Sequence, residues 1–219
     1  MKSIALIHTV KGVANTFEDT LKKGLSQEVK VYNLFDDFLA KNPNEIGEFT
    51  IENRNRLFND VKTAEMTGAD VIVTTCSTLT PVIEMIRPFI KAPVIAIDDA
   101  MAKKSVTFGP KILVMATAES TIGPTKAKVS AEATLAGIKP EISELVMMDA
   151  FKAMQAQDMD EHDRILRERA KEIKGYDCIV LAQASMAHME GEIEKITGCP
   201  TVSSPSLCIE QVEETLKSL

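Results

Sequence analysis

Short apolar runs alternate along the chain with longer amphipathic stretches. The runs are Ser3–Val10, Val29–Leu34, Val71–Thr75, Val94–Ile97, Ile112–Thr117, Ile142–Met147, Cys178–Leu181 and Thr201–Ser203. Their near-continuous Val, Ile and Leu character predicts strands covered on both faces, because a strand with one wet face would alternate apolar and polar positions. Between them, helical periodicity marks segments near 16–25, 50–67, 80–90, 121–137, 149–174, 186–197 and 206–218. Strands spaced by helices predict an α/β fold with mainly parallel sheets flanked by helices. Asp158–Lys174 is charged at most positions, with Ile165, Leu166, Ala170 and Ile173 as its apolar side. It predicts an outer helix with solvated charges, in which neither the charges nor His162 is given a function. The Met-rich stretch 147–159 predicts helix packing.

The pattern repeats. Residues Asp70–Ile97 align without a gap on Asp177–Ser204 at an offset of 107, with Asp70/Asp177, Ile72/Ile179, Val73/Val180, Ile86/Ile193 and Pro93/Pro200 identical. Each copy reads strand, small polar turn, helix and a short strand after Pro. Ile4–Thr9 likewise matches Ile112–Thr117 at an offset of 108. This predicts two pseudo-symmetric α/β halves, 1–97 joined by a final helix from 205–219, and 98–204. Sites in such sheets lie at the carboxyl ends of strands, so the expected active site is a cleft between the halves.

Composition narrows the function. Of 219 residues, Lys and Arg supply 25 and Asp and Glu 32, a net charge of −7, with 5% aromatics and no Trp. A nucleic-acid partner would call for a basic face and stacking rings, so none is expected. No apolar run approaches the roughly 20 residues that cross a bilayer, and Ile4–Val10 is too short for a signal peptide's apolar core, which predicts a cytoplasmic protein without a membrane partner. Cys76, Cys178, Cys199 and Cys208 form no C-x-x-C pair and have no His at zinc-ligand spacing, so no metal is expected. G-x-G-x-x-G, G-x-x-x-x-G-K-[ST] and G-x-S-x-G are all absent, so the chemistry expected is free of cofactors.

Four strand ends carry the candidate residues. The first half offers His8-Thr9 and Thr74-Thr75-Cys76-Ser77-Thr78; the second offers Thr117 through Thr121 and Ala182-Gln183-Ala184-Ser185. Small hydroxyl residues leave backbone N–H groups open to a carboxylate or phosphate. Cys76 stands just before an expected helix whose first turn holds Pro81, with Thr78 or Thr80 as its cap. A thiol at such a helix start can fall well below its reference pKa of about 8.5. His8 ends a strand expected beside that of Cys76. It either activates the thiol or is a hydrogen-bonded rim histidine; His188 is a weaker candidate.

These residues resemble the aspartate/glutamate/hydantoin racemase superfamily. VIVTTCSTLTP, IVLAQASMA and ILVMATAESTIGPT carry the likeness, together with the two-half plan. The resemblance implies two cysteines, one per half, that exchange the α-proton of a small carboxylate without a cofactor; homodimers are common in the family. Cys76 matches the first cysteine, but the repeat pairs it with Gln183. An amide has no useful pKa near neutrality and cannot be the second acid/base, although it can hydrogen-bond a carboxylate or an enolate-like oxygen. The first strand ends in His8-Thr9 where glutamate racemases carry Asp-Ser, which disfavours strict glutamate racemase.

The reading is a cofactor-independent racemase- or isomerase-like enzyme acting at the α-carbon of a small carboxylate. Cys76 would be acid/base or nucleophile, with His8 beside it. Thr9, Thr75, Ser77, Thr78, Thr117, Thr121, Gln183, Ala184 and Ser185 would hold the substrate. The alternatives are a single-cysteine decarboxylase or maleate-type cis-trans isomerase, and, from another class, a non-catalytic carboxylate-binding protein.

Overall fold

Each of the eight apolar runs forms a parallel strand in the computed structural model, which describes residues 1–219. The first-half elements are β1 (Lys2–His8), α1 (Lys11–Gly24), β2 (Val29–Phe35), α2 (Phe38–Ile46), α3 (Ile51–Glu65), β3 (Val71–Thr74), α4 (Thr80–Ile86) and β4 (Val94–Ala96). Then follow α5 (Asp99–Ser105), β5 (Lys111–Ala116), α6 (Ile122–Leu135), β6 (Glu141–Val146), α7 (Met148–Gln155), α8 (Met159–Ala170), β7 (Cys178–Leu181), α9 (Glu190–Thr197), β8 (Thr201–Ser203) and α10 (Ser204–Ser218). The strands make two four-stranded sheets, ordered β2-β1-β3-β4 and β6-β5-β7-β8. The chain divides into two compact units, Met1–Ile97 with Ser206–Leu219, and Asp98–Pro205.

The repeated residues explain why the two sheets share one register. Ile4 lies opposite Val71 as Ile112 lies opposite Cys178, and Ile72 opposite Val94 as Ile179 opposite Thr201. Asp70 donates its N–H to Ser3 O at 2.9 Å, while its carboxylate accepts from Ser3 N at 2.8 Å and Ser3 Oγ at 3.0 Å. Asp177 does the same with Lys111, its N–H reaching Lys111 O at 2.7 Å and its carboxylate accepting Lys111 N at 2.8 Å. Each aspartate thus clamps the amino end of a central strand to its neighbour. The paired prolines open the edge strands: Pro93 O accepts from Ile72 N at 2.9 Å, and Pro200 O from Ile179 N at 2.8 Å. A proline needs no ladder partner for a donor it lacks, which suits this first position. Gly109, before β5, has φ +148°, and a Cβ there would meet the Asp177 carboxylate at 2.5 Å. Only glycine lets the aspartate clamp close.

Each unit has its own core. Leu57, Val61, Ile72, Leu79 and Ile83 pack in the first; Leu166, Ile179, Leu181, Met186 and Ile193 pack in the second. Three elements differ from the periodicity. The helix expected over 149–174 is two helices, broken at Gln157, whose φ of +61° is the one positive value outside glycine. Asp158 then caps α8, accepting from Glu161 N at 3.0 Å. Helices α2 and α5 are only nine and seven residues long, too short for a helical period to stand out. The charged outer helix also buries one polar residue completely, His162.

Candidate active site

In the first half, β3 delivers Thr75 and Cys76 to its carboxyl end, where Thr75 N still bonds Ile7 O of β1 at 3.0 Å. Cys76 then leaves the strand with φ −137° and ψ 120° and leads a 3-10 turn over Ser77–Leu79, closed by Leu79 N to Cys76 O at 3.1 Å. The α-helix itself starts at Thr80, with Pro81 in its first turn. Cys76 therefore caps a single 3-10 turn and does not directly precede an α-helix, as its spacing from Pro81 had suggested. Thr78 Oγ1, expected as a cap, instead lies 2.9 Å from Cys76 Sγ, and the residue at the N-cap of α4 is Leu79, whose apolar side chain cannot cap.

Cys76 is the one cysteine that is not buried. Burial pushes the Cys178 thiol up to about 12, with Cys199 and nearby carboxylates adding to the effect. Burial also raises Cys199. Such thiols are inert at neutral pH.

His8 is fully buried at the end of β1. Its Nδ1 lies 2.8 Å from Thr75 Oγ1 and its Nε2 3.0 Å from Asn33 Oδ1. Asn33 Nδ2 donates to Glu18 Oε2 at 2.5 Å, and because a carboxylate only accepts, this orients the amide oxygen toward the ring. His8 Nε2 accordingly carries the proton and Nδ1 accepts from the Thr75 hydroxyl. Burial lowers the His8 pKa, opposed by the Asn33 bond and by Glu18, which favours this neutral ring. With both nitrogens engaged, His8 reaches Cys76 through Thr75, the residue beside it. Thr9 follows, buried, with Oγ1 lacking any partner.

The second half repeats the geometry with a different side chain. Gln183 leaves β7 with φ −136° and ψ 136°, leading a 3-10 turn over Ala184–Met189, and Met186 N bonds Gln183 O at 3.0 Å. Its side-chain Oε1 accepts from Thr117 N at 2.5 Å, Thr117 Oγ1 at 3.0 Å and Ala118 N at 3.0 Å. Three donors on one atom fix the amide orientation, so the Nε2 end presents N–H donors only. The hydroxyl of Thr117, expected to hold a carboxylate, is committed to Gln183, as is the Thr117 backbone amide. Thr121 Oγ1 donates to Ala118 O at 2.9 Å. Ala184 and Ser185 are half-buried on the turn.

The structure thus joins His8 with Thr75, Cys76 with Thr78, and Thr117 with Gln183. Asn33 and Glu18 were missed; the one signal was an amide near the end of the otherwise mostly apolar run Val29–Phe35, in register beside Leu6 of β1.

Two parallel sheets of one topology, each ending its third-in-sequence turn in a half-buried reactive or polar side chain, define a racemase-type α/β enzyme. The Asp/Glu/hydantoin racemase family model matches residues 45–212, and the chain belongs to that family. Its fold is shared by an allantoin racemase from Klebsiella pneumoniae, at 15% identity over 100% of this chain and 89% of that one, with a TM-score of 0.69. Glutamate racemase RacE1 from Bacillus anthracis gives 15% identity, 99% and 82% coverage and a TM-score of 0.72. An aspartate racemase homologue from Pyrococcus horikoshii gives 16% identity, 100% coverage of both chains and 0.71. None of the curated proteins matches the chain by sequence. No helix is long and apolar enough to cross a membrane.

Proposed function

We propose that this chain is a cofactor-independent isomerase that works at the α-carbon of a small carboxylate through a single thiol. The observation that carries this is the contrast between Cys76 and Gln183, which hold equivalent places in the two halves. As a thiolate, Cys76 would take the α-proton: the C–H bond breaks, an S–H bond forms, and the electron pair moves into an enediolate. Return of the proton from the same S–H to the same face gives exchange alone. The centre inverts when the planar enediolate turns its other face to Cys76 before the S–H bond breaks and the new C–H bond forms. His8, through the Thr75 hydroxyl, would position the turn that carries Cys76. Ser77 and Thr78, on the turn that Cys76 leads, would supply donors for carboxylate oxygens, and Thr9 adds a buried hydroxyl without an internal partner. Gln183 Nε2, at the equivalent place of the second half, offers N–H donors and no proton to transfer.

A second reading shares the same geometry. One thiol suits protonation after decarboxylation, or reversible thiolate addition to an unsaturated acid, better than two-base racemisation. Incubation with a panel of 2-substituted carboxylates in deuterated water tests the proposal. α-Deuterium should appear and vanish in Cys76→Ala. Binding by the folded parent with no exchange, decarboxylation or isomerisation would leave a carboxylate-binding protein instead.

A further inference from the structure

We propose that His162, Asp163 and His188 form a binding site for one divalent transition-metal ion, zinc being the best fit, within the second half. The site is independent of the thiol chemistry above. Each of the three residues places a ligand atom within 4.8 Å of the other two. Asp163 Oδ1 lies 2.7 Å from His162 Nδ1 and 2.8 Å from His188 Nε2, and the second carboxylate oxygen lies 3.0 Å from His188 Nε2.

Two imidazoles and a carboxylate are a donor set zinc favours, with bonds of about 2.0–2.2 Å, which puts tetrahedral ligands roughly 3.3 Å apart. The two separations from Asp163 Oδ1 need to open by about half an ångström, and the two imidazole nitrogens already lie within 4.8 Å of each other. His188 allows this, since its side chain is 46% exposed on the 3-10 turn after β7. His162, fully buried on α8, supplies the fixed side, and its ring stacks on that of His188 at a centroid distance of 6.1 Å. His162 Nδ1 donates to the Asp163 carboxylate, so an ion bound there takes the place of that proton, and the neutral ring then carries its proton on Nε2, which has no internal partner. The nearby cation is spent elsewhere: Arg167 Nε bonds Glu192 Oε1 at 2.5 Å. Three protein ligands leave a fourth position, reached from the exposed side of His188, for water or an anion. An ion there would tie α8 to the turn that begins at Gln183.

Chelator-stripped protein carrying Cys76→Ala, so that this thiol takes no metal, is titrated with zinc chloride by calorimetry and with cobalt(II) by visible absorption. We expect one ion per chain at micromolar affinity or better, cobalt d–d bands of a low-coordinate site, and a Tm raised by zinc. His188→Ala and Asp163→Asn should each weaken binding at least about tenfold and abolish the Tm rise. His162 is left intact because its burial makes a folding defect the ready outcome of its removal. Absence of saturable binding in the folded protein overturns the proposal. So does undiminished binding in His188→Ala, which would leave the three residues as a hydrogen-bonded clasp between α8 and the turn.

Discussion

Cys76 and Gln183 occupy the same backbone niche, with φ/ψ of −137°/120° and −136°/136°, each one residue past the segment that bonds the central strand and each closing a 3-10 turn with its own carbonyl. One niche holds a thiol that can exchange a proton. The other holds an amide whose oxygen is fully occupied. Equivalent backbone with unlike chemistry is what makes the second half open to a direct test.

Gln183→Glu keeps an oxygen for the Thr117 and Ala118 donors and replaces the outward N–H donors with a negative charge. Stability should change little, whereas KM for a carboxylate should rise at least about tenfold, equivalent to about 1.4 kcal/mol. Steady-state kinetics beside thermal melts separate the two effects; an unchanged KM would remove Gln183 from substrate binding.

Gln183→Cys puts a titratable group in the niche. Deuterium exchange of each enantiomer of a turned-over substrate should become two-sided or rise, and Gln183→Ala should not reproduce this. A folded cysteine variant without gain counts against the pairing with Cys76.

Asp60 is a pH-dependent weak point in the first half. Burial and the neighbouring Asp36, itself bonded to Arg56, raise the Asp60 pKa to about 7. The folded state therefore holds this proton more tightly than the unfolded chain, whose value is near 3.8. Stability from this group is intact below the unfolded value and falls as pH rises toward 7. Asp60→Asn should gain about 1–2 kcal/mol at about pH 8.5 and nothing at about pH 4, read from denaturant melts at both.

His8 titrates with the opposite sign. Its lowered pKa means the unfolded chain binds the proton better, so the fold loses stability as pH falls below the ordinary value of 6.5. His8→Gln should blunt that acid loss, while Thr75→Val should lower kcat with a smaller change in Tm.

Asp177→Ala should cost about 1–2 kcal/mol, because Lys111 N loses a partner at the start of β5. Gly109→Ala should cost at least as much, since the new Cβ meets the same carboxylate. In the double variant the collision is gone and only the backbone strain remains, so the sum of single costs should exceed the measured loss. Simple additivity would mean the two residues do not share the clamp.

The fold was largely legible because its signals are local and repeated: the inner strands are mostly apolar and Asp70/Asp177 and Pro93/Pro200 recur at one offset, whereas the edge strands β2 and β6, expected to be covered on both faces, are partly exposed. What escaped depended on conformations with weak local signatures. Gln157 breaks a helix with an ordinary side chain, and nothing in its identity announces a positive φ. Cys76 was picked out by its polar turn, but the 3-10 segment between it and Thr80 is set by hydrogen bonding that residue types leave open. Asn33 and Asp163 act on His8 and His188 across sequence gaps of 25 residues, and only packing brings such pairs together.

Residues 206–219 belong to the unit that begins at Met1. Ser26 Oγ bonds Glu213, and Ile209 lies against Gly24, where an added Cβ would strike it at 2.7 Å. The packing of the earlier half is therefore completed only by residues made after the whole of the later half. The half carrying Cys76 is thus the one whose chain is discontinuous, opened at Met1 and finished at Leu219.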